Sequence, residues 1–153
     1  MLFLEEIARP LLSFHMFISL IALAALGFSA YLMYKQNAID WNSGVKAAWL
    51  GTLAYIASFL LGLLIYPVFR VNVRANYFDK SLQWATALFE IKEHVAALSF
   101  FAALALMALL LSLKKNEPSQ VHKQFAINMV VLLFLVTLAS AAIGFVLSAL
   151  KRM

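Results

Sequence analysis

FEIKEHVAALSFFAALALMALLLSLKK, Phe89 to Lys115, decides the fold. Glu90, Lys92, Glu93 and His94 arrive together, and no charged residue follows until Lys114. A helix needs about 20 apolar residues to cross the hydrocarbon of a bilayer, and this run supplies them. Carried outward along the chain, the same test finds three further segments. The four predicted crossings run roughly over residues 10–34, 46–69, 93–113 and 125–150. The fold class that follows is an all-α, integral membrane four-helix bundle, one domain over residues 1–153, with both termini on the same side.

Composition supports this class. Of 153 residues, 65% are hydrophobic and 12% charged, and a water-soluble domain of this size has too much surface to hide so many apolar side chains. There is no cysteine, which excludes disulfides, thiolate metal sites and cysteine nucleophiles. The net charge of +5 gathers at the ends of the apolar runs, as basic membrane anchors do. Nucleic acid is excluded as a partner, because no continuous basic face or base-stacking module is present. The opening MLFLEEIARP has an acidic rather than a basic n-region, so it is expected to be retained, with Leu2, Phe3, Leu4 and Ile7 in the interface.

KQNAIDWNSGVK and KKNEPSQVHK read as short, turn-rich connections. RVNVRANYFDKSLQW reads as a longer one, and Pro67 is expected to kink or end the second helix at Tyr66. Arg9, Arg70, Arg74, Lys80, Lys92, Lys151 and Arg152 fall on the side of the termini. Lys35, Lys46, Lys114, Lys115 and Lys123 fall on the other. The basic majority places the termini in the cytoplasm, and helical spans place the protein in a bacterial inner membrane rather than an outer one.

Membrane helices meet through small residues. His15, Ser19, Ala22, Leu26, Ser29 and Met33 align on one face of the first span, opposite Phe17, Leu20, Phe28 and Tyr31. Gly51, Tyr55, Ser58 and Gly62 align on the second, and Thr137, Ala141, Gly144 and Ser148 on the fourth. On the third, His94, Ala97, Leu98, Phe101, Ala105, Ala108 and Ser112 are taken as the inward stripe. Asn128 lies off its helix's stripe and is expected to bond a neighbouring helix.

Three histidines are present. His122 reads as a solvated loop residue. His15 and His94 begin co-directional spans, so they share a leaflet and are predicted to meet at similar depth. Ionisable residues inside a bundle are functional-site candidates, and imidazole suits haem iron, copper or zinc. Haem b is the sharper expectation. Its apolar ring suits Phe14, Phe101, Gly62 and Ala97, and its propionates suit Arg70 and Arg74, joined by Lys92. Glu90, one turn before His94, is placed to orient that ligand. Against this stand plainer roles: headgroup anchoring for the arginines, helix-dipole complement for Glu90, and a dipole or salt-bridge role for Glu93. Another metal, a proton relay, or interhelical hydrogen bonding by both histidines also remain open.

Four helices with histidines near the starts of the first and third resemble small membrane b-type cytochromes. YPVFRVNVRANYFDK and FEIKEHVAALSFF are also similar to bacterial membrane proteins near the copper-resistance protein D group. The cytochrome resemblance implies electron transfer between haem and a quinone or redox partner protein, with His15 and His94 as axial ligands. It implies an electron-transfer module, alone, as a homo-oligomer or within a larger complex, rather than a stand-alone enzyme. The alternatives are a copper or other metal handling protein using the same histidines, and a cofactor-free structural or assembly subunit.

Overall fold

The computed structural model describes residues 6–35, 38–115 and 119–150. Helix α1 is Ala8–Lys35 and α2 is Ala38–Phe69. A π-helical segment, Arg70–Phe78, continues α2 into the single turn α3, Asp79–Ser81. Helix α4 is Gln83–Lys115 and α5 is Gln120–Leu150. Four helical stretches, those of α1, α2 with its extension, α4 and α5, are long and apolar enough to cross a membrane. No strand occurs among the described residues. Leu2, Phe3, Leu4, Lys151 and Arg152 lie outside them; Ile7 is exposed.

Helix ends depart from expectation in one direction: more of the chain is helical. Most of the first predicted connection belongs to α2, whose first turn carries Asp40, a favourable charge at a helix N-terminus. The middle connection is helical throughout Arg70–Ser81. Pro67 does not end the helix at Tyr66; α2 runs on to Phe69. Proline lacks the N–H that would bond the carbonyl four residues back, and three residues later the coil widens to π geometry. There the Asp79 N–H bonds the Arg74 carbonyl, five residues back. Bonds of that span suit a π-helix and help place Val73 and Phe78, also five apart, on one buried face.

Helix α1 packs most extensively on α2, α4 on α5, α5 closes onto α1, and α2 touches α4 more lightly. Helices α1 and α4 therefore lie diagonally. Glycine sets the α1–α2 approach. A Cβ at Gly51 would lie 2.8 Å from Leu26 Cγ and 2.9 Å from the Leu26 backbone nitrogen. One at Gly44 would lie 2.6 Å from Met33 Cγ. The hydroxyl of Ser29 donates to the Gly44 carbonyl at 2.8 Å, which pins the same contact.

The faces predicted for α1 and α2 are the packed ones. Ala22, Leu26, Ser29 and Met33 are buried, as are Gly51, Tyr55 and Ser58, while Phe17, Leu20, Phe28 and Tyr31 are exposed. The face predicted for α4 is corrected. Ala97, Leu98, Phe101, Ala105, Ala108 and Ser112 are all exposed, and the packed face carries Ala85, Phe89, Ser99, Ala103, Leu106 and Leu110. Asn128 is also corrected. It is exposed and accepts a bond from Gln124 of its own helix at 3.0 Å.

Two apolar clusters result. The larger holds Leu26, Met33, Leu106, Leu110, Val130 and Leu133. The smaller joins Val73 and Phe78 of the π segment to Ala85, Phe89 and Leu147. Phe89 stacks on Phe69, with ring centroids 4.8 Å apart. The smaller cluster folds the α2 extension against the start of α4, and the polar site lies beside it.

Candidate functional site

His15 is half-buried at the α1–α2 contact. Its Nδ1 lies 2.9 Å from the Ser58 carbonyl oxygen and 3.2 Å from Ser58 Oγ. The carbonyl can only accept, and so favours hydrogen on Nδ1, which leaves Nε2 as the nitrogen for a proton or a ligand. Ser58 Oγ lies 2.6 Å from Ser19 Oγ, and the Ser19 hydroxyl donates to the His15 carbonyl at 2.7 Å. Serine in a helix commonly bonds back one turn; here that bond closes a ring across two helices.

His94 is placed otherwise. It is exposed, and its Nδ1 donates to the Glu90 carbonyl at 2.7 Å. It lines a shallow surface groove with Ala87, Glu90, Ile91 and Val95, all residues of α4. His94 and Ala96 are two residues apart, or about 200° around a helix. Because Ala96 offers its carbonyl to the Tyr55 hydroxyl of α2 at 3.3 Å, His94 faces away from the bundle.

Arg74 and Glu90 are brought together as an ion pair. The same guanidinium lies 3.7 Å from Asp79 through Nε, and Asp79 accepts from the Thr86 hydroxyl at 2.7 Å. Glu90 thus clasps the π segment with its side chain and holds the His94 ring with its main-chain carbonyl. Arg70 is exposed. It lies over the Tyr66 ring and donates to the Tyr66 hydroxyl at 3.4 Å.

Two neighbours of His94 point inward instead. Lys92 is half-buried. Its Nζ lies 3.0 Å from where a Cβ on Gly144 would stand, so the glycine of α5 makes room for the ammonium. No carboxylate among the described residues closes an ion pair on Lys92, although its charge acts on His15 and on Glu93. The Glu93 carboxylate accepts a side-chain hydrogen bond from the Tyr66 hydroxyl and lies in the fields of Arg74, Arg70 and His94. Its Oε1 is buried with no hydrogen-bond partner among the described residues. Leaving a buried acceptor unbonded costs about 1–3 kcal/mol, and more for a charged group.

Sequence reasoning gave Lys92 and Glu93 only supporting parts. The signal for Lys92 is the spacing 85, 89, 92, 96, 99, 103, 106, 110, alternating four and three, which is a helix-packing seam. Lys92 falls on that seam; Glu93 and His94 do not.

The residues present do not fit a haem held by His15 and His94 of one chain. His94 looks outward, away from the half-buried His15. Phe14 and Phe101, expected beside the ring, are exposed. No group of three or more histidine, aspartate or glutamate side chains suited to a metal ion occurs among the described residues. Comparison with family models, with curated proteins and with solved structures found no match.

Proposed function

We propose that this chain is a multi-pass membrane protein whose working part is a proton-accepting site inside one end of the bundle. Glu93 and His15 take and release the proton. Lys92 sets the local charge, and Tyr66 with the Arg74–Glu90 pair shapes the approach from the headgroups. The observation that carries this reading is the Glu93 Oε1, buried and without a hydrogen-bond partner among the described residues, beside a lysine turned inward that no described carboxylate pairs. Helices that only needed to pack would gain by leaving both charges outside. Ionisable groups kept inside a bundle mark proton or ligand pathways.

The site stops part-way. Beyond Tyr55 the apolar cluster of Leu26, Leu106, Leu110 and Leu133 fills the interior with only the hydroxyls of Ser29, Thr52 and Thr137 among it, so no buried titratable side chain among the described residues carries the site on to the other face. It serves a partner at its own end of the bundle: a redox protein or a quinone, whose reduction consumes protons. The basic majority on that side supports a cytoplasmic location for it, and helical spans support an inner membrane.

Infrared difference spectra of the protein in bilayers at high and low pH test the reading. A carboxyl band that appears on acidification, persists in Glu90→Gln and is lost in Glu93→Gln is expected. No titrating interior carboxyl overturns it and leaves a structural or assembly subunit.

A second reading, a redox module, has one observation in its favour. Both histidines donate through Nδ1 to a main-chain carbonyl, which leaves each Nε2 free, as in metal-ligating histidines. Because His94 looks outward, haem or copper would draw its second ligand from another copy or subunit. A Soret band, or bound copper, lost in His94→Gln is the expected sign; a colourless, copper-free protein grown with haem and copper in supply excludes it.

A further inference from the structure

We infer that Ser19 is a positioning residue that sets the tautomer of His15, which keeps Nε2 as the ring atom that exchanges protons. This rests on the proton-accepting reading for its use, though not for its geometry.

The argument is one of donors and acceptors. Ser58 offers His15 two contacts with opposite consequences. Its carbonyl oxygen, 2.9 Å from Nδ1, can only accept and so requires Nδ1–H. Its hydroxyl, 3.2 Å from Nδ1, could donate to a bare Nδ1 and so favour the other tautomer, with hydrogen on Nε2. A hydroxyl has a single hydrogen to give, and Ser19 decides where it goes. The Ser19 hydroxyl is already committed to the His15 carbonyl at 2.7 Å, so at the 2.6 Å contact between the two hydroxyls Ser58 is the donor. With its hydrogen spent there, Ser58 has nothing left to give Nδ1. The carbonyl wins, the ring carries hydrogen on Nδ1, and Nε2 stays bare in a part of the bundle where the Lys92 ammonium is within electrostatic reach. Ser19 thus acts on His15 twice: it anchors to the main chain of the same residue whose ring it governs.

The two serines therefore have unequal effects when removed. Ser19→Ala frees the Ser58 hydrogen to bond Nδ1, which admits the tautomer with hydrogen on Nε2. Ser58→Ala removes the competing donor and keeps the carbonyl, so the original tautomer stands alone. The double variant behaves like Ser58→Ala, because without the Ser58 hydroxyl the loss of Ser19 has nothing to release. A merely structural role for the serines predicts the reverse order, with the double variant the most disturbed.

The test is solid-state NMR of the full chain in lipid bilayers with 15N,13C-labelled histidine, at a pH where the ring is neutral. His94→Gln and His122→Gln variants assign the signals. Wild type and Ser58→Ala are expected to show a single tautomer, hydrogen on Nδ1. Ser19→Ala is expected to gain a second set of resonances with hydrogen on Nε2, and Ser19→Ala/Ser58→Ala to lose it again. Hydrogen on Nε2 in the wild type, or a single unchanged tautomer in Ser19→Ala, overturns the inference. Helical circular dichroism on the same samples checks that each variant folds. The infrared titration of Glu93 reads the proton-accepting role separately, so each claim can fail while the other stands.

Discussion

Between the Leu26–Leu133 end of the bundle and the His15–Glu93 end, the same four helices bury different chemistry. At the first, Leu26, Met33, Leu106, Leu110, Val130 and Leu133 are almost wholly enclosed; the buried hydroxyls of Ser29 and Thr137 are bonded to main-chain carbonyls, and that of Thr52 has no partner among the described residues. At the second, a histidine, a lysine and a glutamate turn toward the interior, glycines stand beside two of them, and one carboxylate oxygen is left unbonded. Apart from the neutral Thr52 hydroxyl, the first end is arranged as stability requires. The second gives some of that up, and such departures from local rules gather where proteins work.

The sharpest way to break the comparison is to cut into both ends and compare the loss. Leu106→Ala or Leu110→Ala is expected to cost about 2–5 kcal/mol, since each leaves a cavity among packed neighbours. Gly51→Ala, which drives a methyl into Leu26, is expected to cost about 1–3 kcal/mol. The double change Lys92→Met/Glu93→Gln is expected to cost nothing, or to stabilise by on the order of 1 kcal/mol, while abolishing the titrating carboxyl. Reversible unfolding in mixed micelles reads all of these. A large loss from the double change would make the charges structural.

Smaller effects sharpen the contrast. Ser29→Ala is expected to lose about 1 kcal/mol with its bond to the Gly44 carbonyl. Thr52→Val is expected to be neutral or stabilising, because the Thr52 hydroxyl is buried without a partner among the described residues. Smallest is the Arg74–Glu90 pair, whose side chains are 19% and 47% exposed. A double-mutant cycle with Arg74→Gln and Glu90→Gln is expected to give about 0.2–1 kcal/mol. A coupling several times larger would make this clasp, rather than the apolar packing of Val73 and Phe78, the main fastening of the π segment.

The spans were legible because hydropathy alone decides them: nothing charged separates His94 from Lys114. The inward faces of α1 and α2 were legible as well, since each has small or hydroxyl residues on one side and aromatic or leucine residues on the other. Helix α4 was not. It is apolar on every side and carries alanine on both, with Ala97, Ala105 and Ala108 on one face and Ala96 and Ala103 on the other. Composition therefore gives its rotation no preference, and the polar letters had to decide. Histidine inward and lysine at the headgroups is the usual order for those side chains in membranes. The packing reverses it, because Gly144 leaves space for an ammonium where most residues would fill it. That pairing lies 52 positions apart in the chain, and no local pattern carries it. The extended helix at 70–81 was hidden for another reason. Its polar letters read as a loop, whereas Val73 and Phe78 bury together at a spacing of five, a period ordinary helix patterns do not contain.

The chain has no cysteine of its own, so single cysteines can probe each end without background. A thiol reacts with a water-borne, membrane-impermeant reagent only where water reaches it and lets it ionise. Cysteines placed at Lys92, Glu93 and Gly62 are expected to react from one side of sealed vesicles, and cysteines at Leu26, Leu106 and Leu133 from neither. Equal silence at all six positions, or equal reaction from both sides, would contradict a one-sided polar site inside this bundle.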